Sequence, residues 1–167
     1  MIRRIRPDEW ASLRALRLRA LTGAPLAFGS TLARESTFAD DAWLDRARRG
    51  ASGTDGVTFV AELDGRWMGI ASGLPNDSDA PDDPRAVLVG MFVAREARGR
   101  GVGVALVEAV VGWARERGAQ GLGLWVTATN ETAIALYTRC GFRRGSERRP
   151  LPHTPAFEML RMVRDRL

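Results

Sequence analysis

The stretch VAREARGRGVGV (residues 93–104) decides how this chain is interpreted, because three alternate glycines follow a long apolar run. A strand is predicted over 86–93, and a helix is predicted from Gly101 to about Gly118. Glycine has no Cβ, so the backbone there can approach a ligand closely and adopt positive φ. The first turn of a helix leaves N–H groups unpaired and carries partial positive charge. The pattern therefore predicts an anion site, best suited to a phosphate or pyrophosphate.

Two common phosphate-binding motifs do not fit this stretch. The dinucleotide fingerprint G-x-G-x-x-G, started at Gly99, meets Val104 where it needs glycine, and started at Gly101 it meets Leu106. The chain contains no lysine, since all 25 of its basic residues are arginine. A Walker P-loop and Schiff-base catalysis both require a lysine, so both are excluded.

The segments around this stretch predict an α/β chain with a mixed sheet. A hairpin over 57–63 and 66–74 turns at Asp64-Gly65, and the apolar run 86–93 is typical of a central strand covered on both faces. Asp8 is predicted to cap the first helix, Ser30 or Thr31 a short second helix, and Gly50 to end the third. The other predicted elements are strands at 2–6, 121–129, 142–149 and 157–163 and a helix at 130–140.

Length and composition limit the classes of protein that the chain can represent. Its 167 residues suit one domain, 1–167. One cysteine, Cys140, excludes a disulfide framework, and with the single His153 it cannot form a Cys/His zinc site, so no metal is expected. No apolar run approaches the roughly 20 residues of a membrane span, and the N-terminus lacks a signal peptide's apolar core. We expect a soluble, cytoplasmic protein with no membrane partner.

The net charge of +5 does not by itself indicate a nucleic acid partner. The arginines are scattered along the chain and interleaved with aspartate and glutamate, and arginine in place of lysine is what a biased genome composition produces. We therefore predict no nucleic acid binding. The rival interpretation, a nucleic acid binder, predicts an affinity that falls steeply with salt.

Two motifs carry a resemblance to a known family. The spacing Arg98-x-x-Gly101-x-Gly103 resembles the first signature of the GNAT superfamily, the acyl-CoA-dependent N-acetyltransferases, and NETAIALYTRCGF (130–142) resembles the second. They occur in family order, and the resemblance extends from about Thr58 to Val163. It implies a mixed, mostly antiparallel central sheet flanked by helices, splayed between its central strands at the acyl-CoA site.

The resemblance also implies which residues contact the cofactor, acetyl-CoA. The backbone of the central strand is expected to pair with the pantetheine arm like an added strand, and the glycine-rich loop is expected to hold the pyrophosphate. The family also makes a homodimer one expected assembly. The implied cofactor residues are Met91, Phe92, Val93, Arg98, Gly99, Arg100, Gly101, Val102, Gly103, Asn130 and Tyr137.

Asn130 and Tyr137 lie seven residues apart, which places them within about 20° of one helix face. In the family the tyrosine points at the acetyl-CoA sulfur, so Tyr137 is a catalytic candidate. The alternatives are structural: Asn130 as an ordinary N-cap, and Tyr137 as a packing residue.

The reaction needs a group that accepts a proton from the amine, because an alkyl ammonium has a pKa of about 10.4 and is almost fully protonated at neutral pH. Many family members keep a glutamate on the central strand where this sequence has Val87. We take Glu35 as the first candidate base. The other candidates are Glu62, Asp77, Asp79, His153 and water. The acidic loop 75–84 is expected to favour a cationic substrate through its field.

The sequence thus predicts transfer of an acetyl group from acetyl-CoA to a primary amine of a small molecule or peptide. The alternative is a non-catalytic sensor that binds acyl-CoA with the same fold. The missing carboxylate on the central strand favours the sensor, whereas Tyr137 favours the enzyme.

Overall fold

The computed structural model describes residues 1–167, and seven strands form one sheet in the order β1-β2-β3-β4-β5-β7-β6. All neighbouring strands are antiparallel except β4 and β5. The elements are β1 (Ile2–Arg4), α1 (Trp10–Gly23), α2 (Leu32–Glu35), α3 (Asp40–Ser52), β2 (Val57–Leu63), β3 (Arg66–Leu74), β4 (Ala86–Val93), α4 (Val102–Glu116), β5 (Gly121–Thr127), α5 (Glu131–Arg139), β6 (Arg143–Leu151) and β7 (Thr154–Asp165), with 3₁₀ turns at Pro25–Ala27 and Arg95–Ala97. The predicted mixed, mostly antiparallel sheet is confirmed.

Apolar side chains cover both faces of the sheet. On one face, Leu106 and Val110 of α4 are fully buried with residues of α5 and the central strands. On the other face, Leu16 of α1 and Trp43 of α3 are buried against β2 and β3. Because β4 lies between these two layers, its apolar sequence has no solvent-facing alternation. None of the helices is both long enough and apolar enough to cross a membrane.

Two predicted helix boundaries are wrong, and side-chain contacts explain why. Helix α1 begins at Trp10 rather than after Asp8, and the Glu9 carboxylate before it binds Arg3 and Arg6 instead of capping the helix. Helix α3 continues through Gly50 and ends at Gly53, whose φ is +75°. A Cβ on Gly50 would meet Thr58 of β2, so this glycine permits close packing. Thr31 caps α2, as predicted.

The sheet opens between β4 and β5, which confirms the predicted splay. These strands pair only at Ala86↔Leu122 and Val87↔Gly123. Beyond that point β4 carries a bulge, because its register against β3 slips by one residue between Ile70 and Ser72. Gly90 lies in the bulge with φ +64°. The bulge turns β4 away from β5 and leaves its edge without a partner strand.

Arginines pair with three of the four aspartates of the acidic loop 75–84. Arg161 of β7 is 2% exposed and donates to both Asp77 and Asp83, at 3.1 and 3.0 Å. Asp79 pairs with Arg149 at 2.8 Å. These ion pairs to β6 and β7 argue against the expectation that the loop attracts a cationic substrate through its field.

Candidate active site

A cavity of about 640 Å³ occupies the opening between β4 and β5. Its walls come from β4, the loop before α4, the first turn of α4, the end of β5 and one face of α5. The predicted cofactor residues all line it except Arg100, which is exposed and lies outside the lining. The fold thus brings together residues from two separate motifs. Their contacts with a cofactor remain a prediction.

The first turn of α4 presents free N–H groups to this cavity. Ala105 N donates to Gly101 O at 3.0 Å, so the N–H groups of Val102, Gly103 and Val104 precede the helical hydrogen bonding. Gly101, at the N-cap position, has φ +78° and provides no capping side chain. The partial positive charge of a 15-residue helix therefore meets the cavity uncapped, as an anion site requires.

Glycine is required for different structural reasons at the two positions at the start of α4. At Gly101 an added Cβ would meet no atom within 4 Å, and the requirement is the positive φ. At Gly103 an added Cβ would lie 3.1 Å from Leu136 Cδ2 of α5 and 3.5 Å from Met91 Cε. Gly103 therefore allows α4 to approach α5, whereas the sequence predicted that the glycines here serve the close approach of a ligand.

The free edge of β4 forms the opposite wall of the cavity. The strand carries N–H and C=O groups with no partner from β5 after Val87. Arg98 Nε donates to Val93 O at 3.0 Å and fastens the loop to the end of the strand. An extended ligand with amide groups is suited to such an edge, because it can pair with the strand as a further strand would.

Tyr137 of α5 lines the cavity and is 6% exposed. Its ring packs against Phe142 at a centroid distance of 5.9 Å, and its hydroxyl makes no hydrogen bond to a protein group. Burial raises the pKa of Tyr137 above its ordinary value, so the phenol stays protonated. The hydroxyl is therefore a hydrogen-bond donor available to a ligand.

Asn130 acts as the N-cap of α5, the structural alternative that the sequence left open. Its Oδ1 accepts a hydrogen bond from Ala133 N at 3.2 Å and caps α5. Its amide nitrogen donates to no protein group, and the residue lines the cavity. Its contact with a cofactor stays a prediction.

A second cavity, of about 410 Å³, adjoins the first. Six residues line both cavities: Ala27, Phe28, Leu88, Val89, Gly90 and Trp125. We call this boundary, centred on the bulge of β4, the junction. A molecule in the second cavity would therefore lie next to a group held in the first.

The environment of Glu35 argues against its predicted role as the base. The side chain is 3% exposed and lines neither cavity. Arg17 donates to it through Nε and Nη2, the latter at 2.7 Å, and Arg46 Nη1 donates at 3.0 Å. Burial alone would raise the pKa of Glu35, but these hydrogen bonds and charges outweigh it and lower the pKa to about 2. A carboxylate this weakly basic is a poor proton acceptor.

The other candidate bases also have partners, and none of them lines either of these two cavities. Glu62 pairs with Arg3, and Asp77 and Asp79 are held as described. His153 donates through Nε2 to Phe28 O at 2.8 Å, while its Nδ1 forms a hydrogen bond with Thr154 Oγ1. Asp55, which the sequence did not single out, is the carboxylate that lines the second cavity. No group of three or more His, Cys, Asp or Glu side chains is arranged to hold a metal ion.

Glu35→Gln is expected to reduce stability above about pH 4.5, because it removes the charge that compensates the buried guanidinium of Arg17 and the partly exposed one of Arg46. The pKa of Glu35 is lowered from 4.5 to about 2, so its ionised form contributes about 3 kcal/mol above pH 4.5, and this is lost as pH falls toward 2. Urea unfolding of wild type and variant at pH 7 and pH 3.5 measures this difference in the free energy of unfolding. The difference between wild type and variant should shrink at pH 3.5. Glu62→Gln, which breaks a more exposed pair, is the control and should cost under about 1 kcal/mol. A constant difference would contradict this account.

Known proteins share this architecture. A ribosomal-protein-alanine N-acetyltransferase from Brucella melitensis is 25% identical, with a TM-score of 0.79 over 99% of both chains. A Salmonella typhimurium structure solved with its cofactor, acetyl-CoA, has a TM-score of 0.79 over 99% of this chain and 92% of that one; at 18% identity it supports the fold alone. The L-2,4-diaminobutyric acid acetyltransferase of Nocardia farcinica is 32% identical over 62% of this chain and 50% of its own length.

The extent of the matches fixes what they establish. The curated relatives are matched over 38% to 54% of their own length, so this chain spans about half of them. The family described as Acetyltransferase (GNAT) family matches residues 11–142, which include both cavity-forming motifs. With the seven-stranded splayed sheet and the uncapped start of α4, this match establishes that the chain belongs to the GNAT family of acetyltransferases.

Proposed function

We propose that the chain transfers the acetyl group of acetyl-CoA to a primary amine of a small molecule or peptide. The observation that carries the proposal is the junction. There the first cavity meets the second. The first cavity has the uncapped start of α4, the free edge of β4 and the protonated Tyr137, and the second is lined by arginines. Two reactants can therefore enter from two sides and meet at Gly90.

The first cavity fits acetyl-CoA in its chemistry. The N–H groups of Val102, Gly103 and Val104 are suited to the pyrophosphate, with the Arg98 guanidinium beside them. The edge of β4 is suited to the amides of the pantetheine arm. This arrangement puts the thioester at the end of the arm, toward Tyr137 and the junction.

The reaction needs few groups from the protein. The neutral amine attacks the thioester carbonyl carbon, the C–S bond breaks, and its electron pair goes to the sulfur of CoA. The Tyr137 hydroxyl donates a hydrogen bond to that sulfur as negative charge develops. We infer that water accepts the amine's proton. The central strand has Val87 where a carboxylate base could stand, the first cavity is lined by no carboxylate, and the second is lined by Asp55 alone.

A thiol-detecting assay with acetyl-CoA and a panel of amines, amino acids and peptides tests the proposal. Release of CoA that depends on the amine is expected. Acetyl-CoA alone should also raise the melting temperature, because at 100 times its Kd a bound ligand stabilises the protein by about 2.7 kcal/mol. Binding without release for every acceptor would contradict the proposal and leave a sensor. The cytoplasmic location and the homodimer stay predictions.

A further inference from the structure

We propose that the amine acceptor carries an anionic group of its own, a carboxylate or phosphate close to the amine, and that arginines of the second cavity bind it. This inference rests on the proposed function and names its substrate class. A free amino acid is the simplest molecule of this kind. A polycationic amine and the amino terminus of a peptide are the acceptors that it excludes.

The charge of the second cavity is the first observation. One carboxylate, Asp55, lines it, together with four arginines from three separate elements: Arg17, Arg46, Arg49 and Arg149. Glu35 compensates two of these arginines, and Asp79 compensates a third. Positive charge therefore remains in excess even when every partner is included, and Arg49 has no ion pair at all. Such a cavity attracts an anion and repels a cation.

Unpaired donors are the second observation. Arg17 Nη1 donates to no protein group, although the other nitrogens of its fork are bound to Glu35. Arg149 Nε and Ser30 Oγ are buried without any partner, and both residues line this cavity. Arg149 Nε and Ser30 Oγ are too deeply buried to reach a ligand directly, whereas Arg17 Nη1 is not fully buried and can donate to an acceptor oxygen of a ligand.

The position of Arg17 places the anion near the reacting nitrogen. A Cβ built on Gly90 would lie 4.0 Å from Arg17 Nη1. Gly90 lines both cavities, so the free end of this guanidinium faces the junction itself. In an α-amino acid the carboxylate and the amine are attached to the same carbon. A carboxylate bound to Arg17 therefore leaves the amine beside the first cavity.

Two arginine–aromatic stacks fix this geometry. The Arg17 guanidinium lies 4.6 Å from the Phe28 ring centroid, and that of Arg149 lies 4.1 Å from the Trp125 ring centroid. Phe28 and Trp125 both line the junction. Stacking holds the planar fork of an arginine in one orientation, which suits two-point recognition of a carboxylate or phosphate.

The same positive charge favours the neutral amine that the reaction requires. Like charges nearby lower the pKa of an ammonium group, so a bound acceptor loses its proton more readily than it does in water. The cavity thereby performs part of the task of the missing strand carboxylate. The charged groups around a bound acceptor are Arg17 of α1, Glu35 of α2, Arg46 and Arg49 of α3, Asp55 after α3, Arg149 of β6 and Asp79 of the acidic loop.

A panel of matched acceptors tests the inference. Each amino acid is compared with its own α-amide, phosphoethanolamine with ethanolamine, and all of them with 1,3-diaminopropane. We expect the anionic member of each pair to have a kcat/KM at least about 10-fold higher, since one hydrogen bond to a charged group gives this much discrimination. The better anion identifies carboxylate or phosphate as the source. Equal or better use of the amides or the diamine would overturn the inference.

Variants give a test that does not depend on the panel alone. Arg49→Gln removes an unpaired charge from the rim of the cavity, whereas Arg48→Gln removes an equally exposed neighbour that lies outside the lining. We expect Arg49→Gln to raise KM for the anionic acceptor about 10-fold, to leave KM for its amide without this rise, and to move the acidic limb of the kcat profile to higher pH. Arg48→Gln should leave all three unaltered. Identical behaviour of the two variants would contradict the proposal.

Arg17 needs a paired substitution, because its loss alone leaves the Glu35 carboxylate with less compensation. The double variant Arg17→Gln with Glu35→Gln keeps the local charge balanced and the side-chain sizes similar. We expect calorimetry to show at least about 10-fold weaker binding of the anionic acceptor to the complex with CoA, while CoA itself binds as in wild type. Unchanged acceptor binding would overturn the inference. Absence of CoA release from any amine would instead refute the proposed function.

Discussion

Gly101→Val is expected to abolish acetyl-CoA binding while the protein remains folded. Gly101 has φ +78° at the N-cap of α4, and a β-branched residue in this region costs about 1–3 kcal/mol or forces the backbone to move. Movement turns away the N–H groups that the pyrophosphate needs. The stabilisation by acetyl-CoA, about 2.7 kcal/mol at 100-fold Kd, should disappear from thermal unfolding and calorimetry.

Gly118→Val is the matched control for this experiment. Gly118 follows the other end of the same helix, has φ +74°, has no atom within 4 Å of an added Cβ, and does not line the cavity. It should lower the melting temperature by a similar amount and keep the full shift with acetyl-CoA. A folded Gly101→Val protein with the wild-type shift would refute the assignment of this loop.

Tyr137→Phe is expected to lower kcat by roughly 10²–10³, the usual loss when one hydrogen-bond donor to a developing negative charge is removed, without abolishing turnover. A thiol has a pKa near ~8.5, so the thiolate already leaves without full protonation. Burial raises the pKa of the phenol, which makes it a hydrogen-bond donor to the sulfur rather than a proton source. Acetyl-CoA affinity should change little, because the hydrogen bond strengthens as charge develops.

The same variant also separates a catalytic from a structural Tyr137. The hydroxyl bonds to no protein group, so its removal should change the free energy of unfolding by less than about 0.5 kcal/mol. A wild-type kcat when chemistry limits the rate would make Tyr137 a packing residue. A large loss of stability would show instead that the hydroxyl supports the fold.

The elements that carry the first cavity could be predicted because their signals are local. The apolar run of β4, the glycines before α4 and the Asn130 cap of α5 each lie within one segment. The hairpin of β2 and β3 is equally local, since Asp64-Gly65 sets its turn. The bulge at Gly90 produces no comparable pattern, because its positive φ depends on how β4 leaves β5.

The second cavity could not be predicted, because its walls come from distant parts of the chain. Arg17 and Glu35 are 18 residues apart, and Arg149 joins them from β6. The sequence shows only that Glu35 is a carboxylate on a short helix. The structure shows two guanidinium groups bound to it, which turns a candidate base into a residue that positions Arg17.

The composition also gave no indication that the second cavity is positively charged. The aspartates of the loop 75–84 are prominent in the sequence, whereas Arg161 and Arg149, which bind them, lie on β7 and β6. Conversely, the arginines of the second cavity are scattered in the chain and converge only in the fold. The arginine-rich second cavity thus arises from a sequence whose most visible charged segment is acidic.

The most direct test of acetyl transfer is a single-turnover reaction with acetyl-CoA labelled in its acetyl group, mixed with excess protein and an amino acid. The products are separated and the label is located. The structure predicts that the label moves to the acceptor nitrogen as an amide, in step with the appearance of free CoA. Label that stays on CoA, or that appears as acetate whether or not an amine is present, would contradict the account.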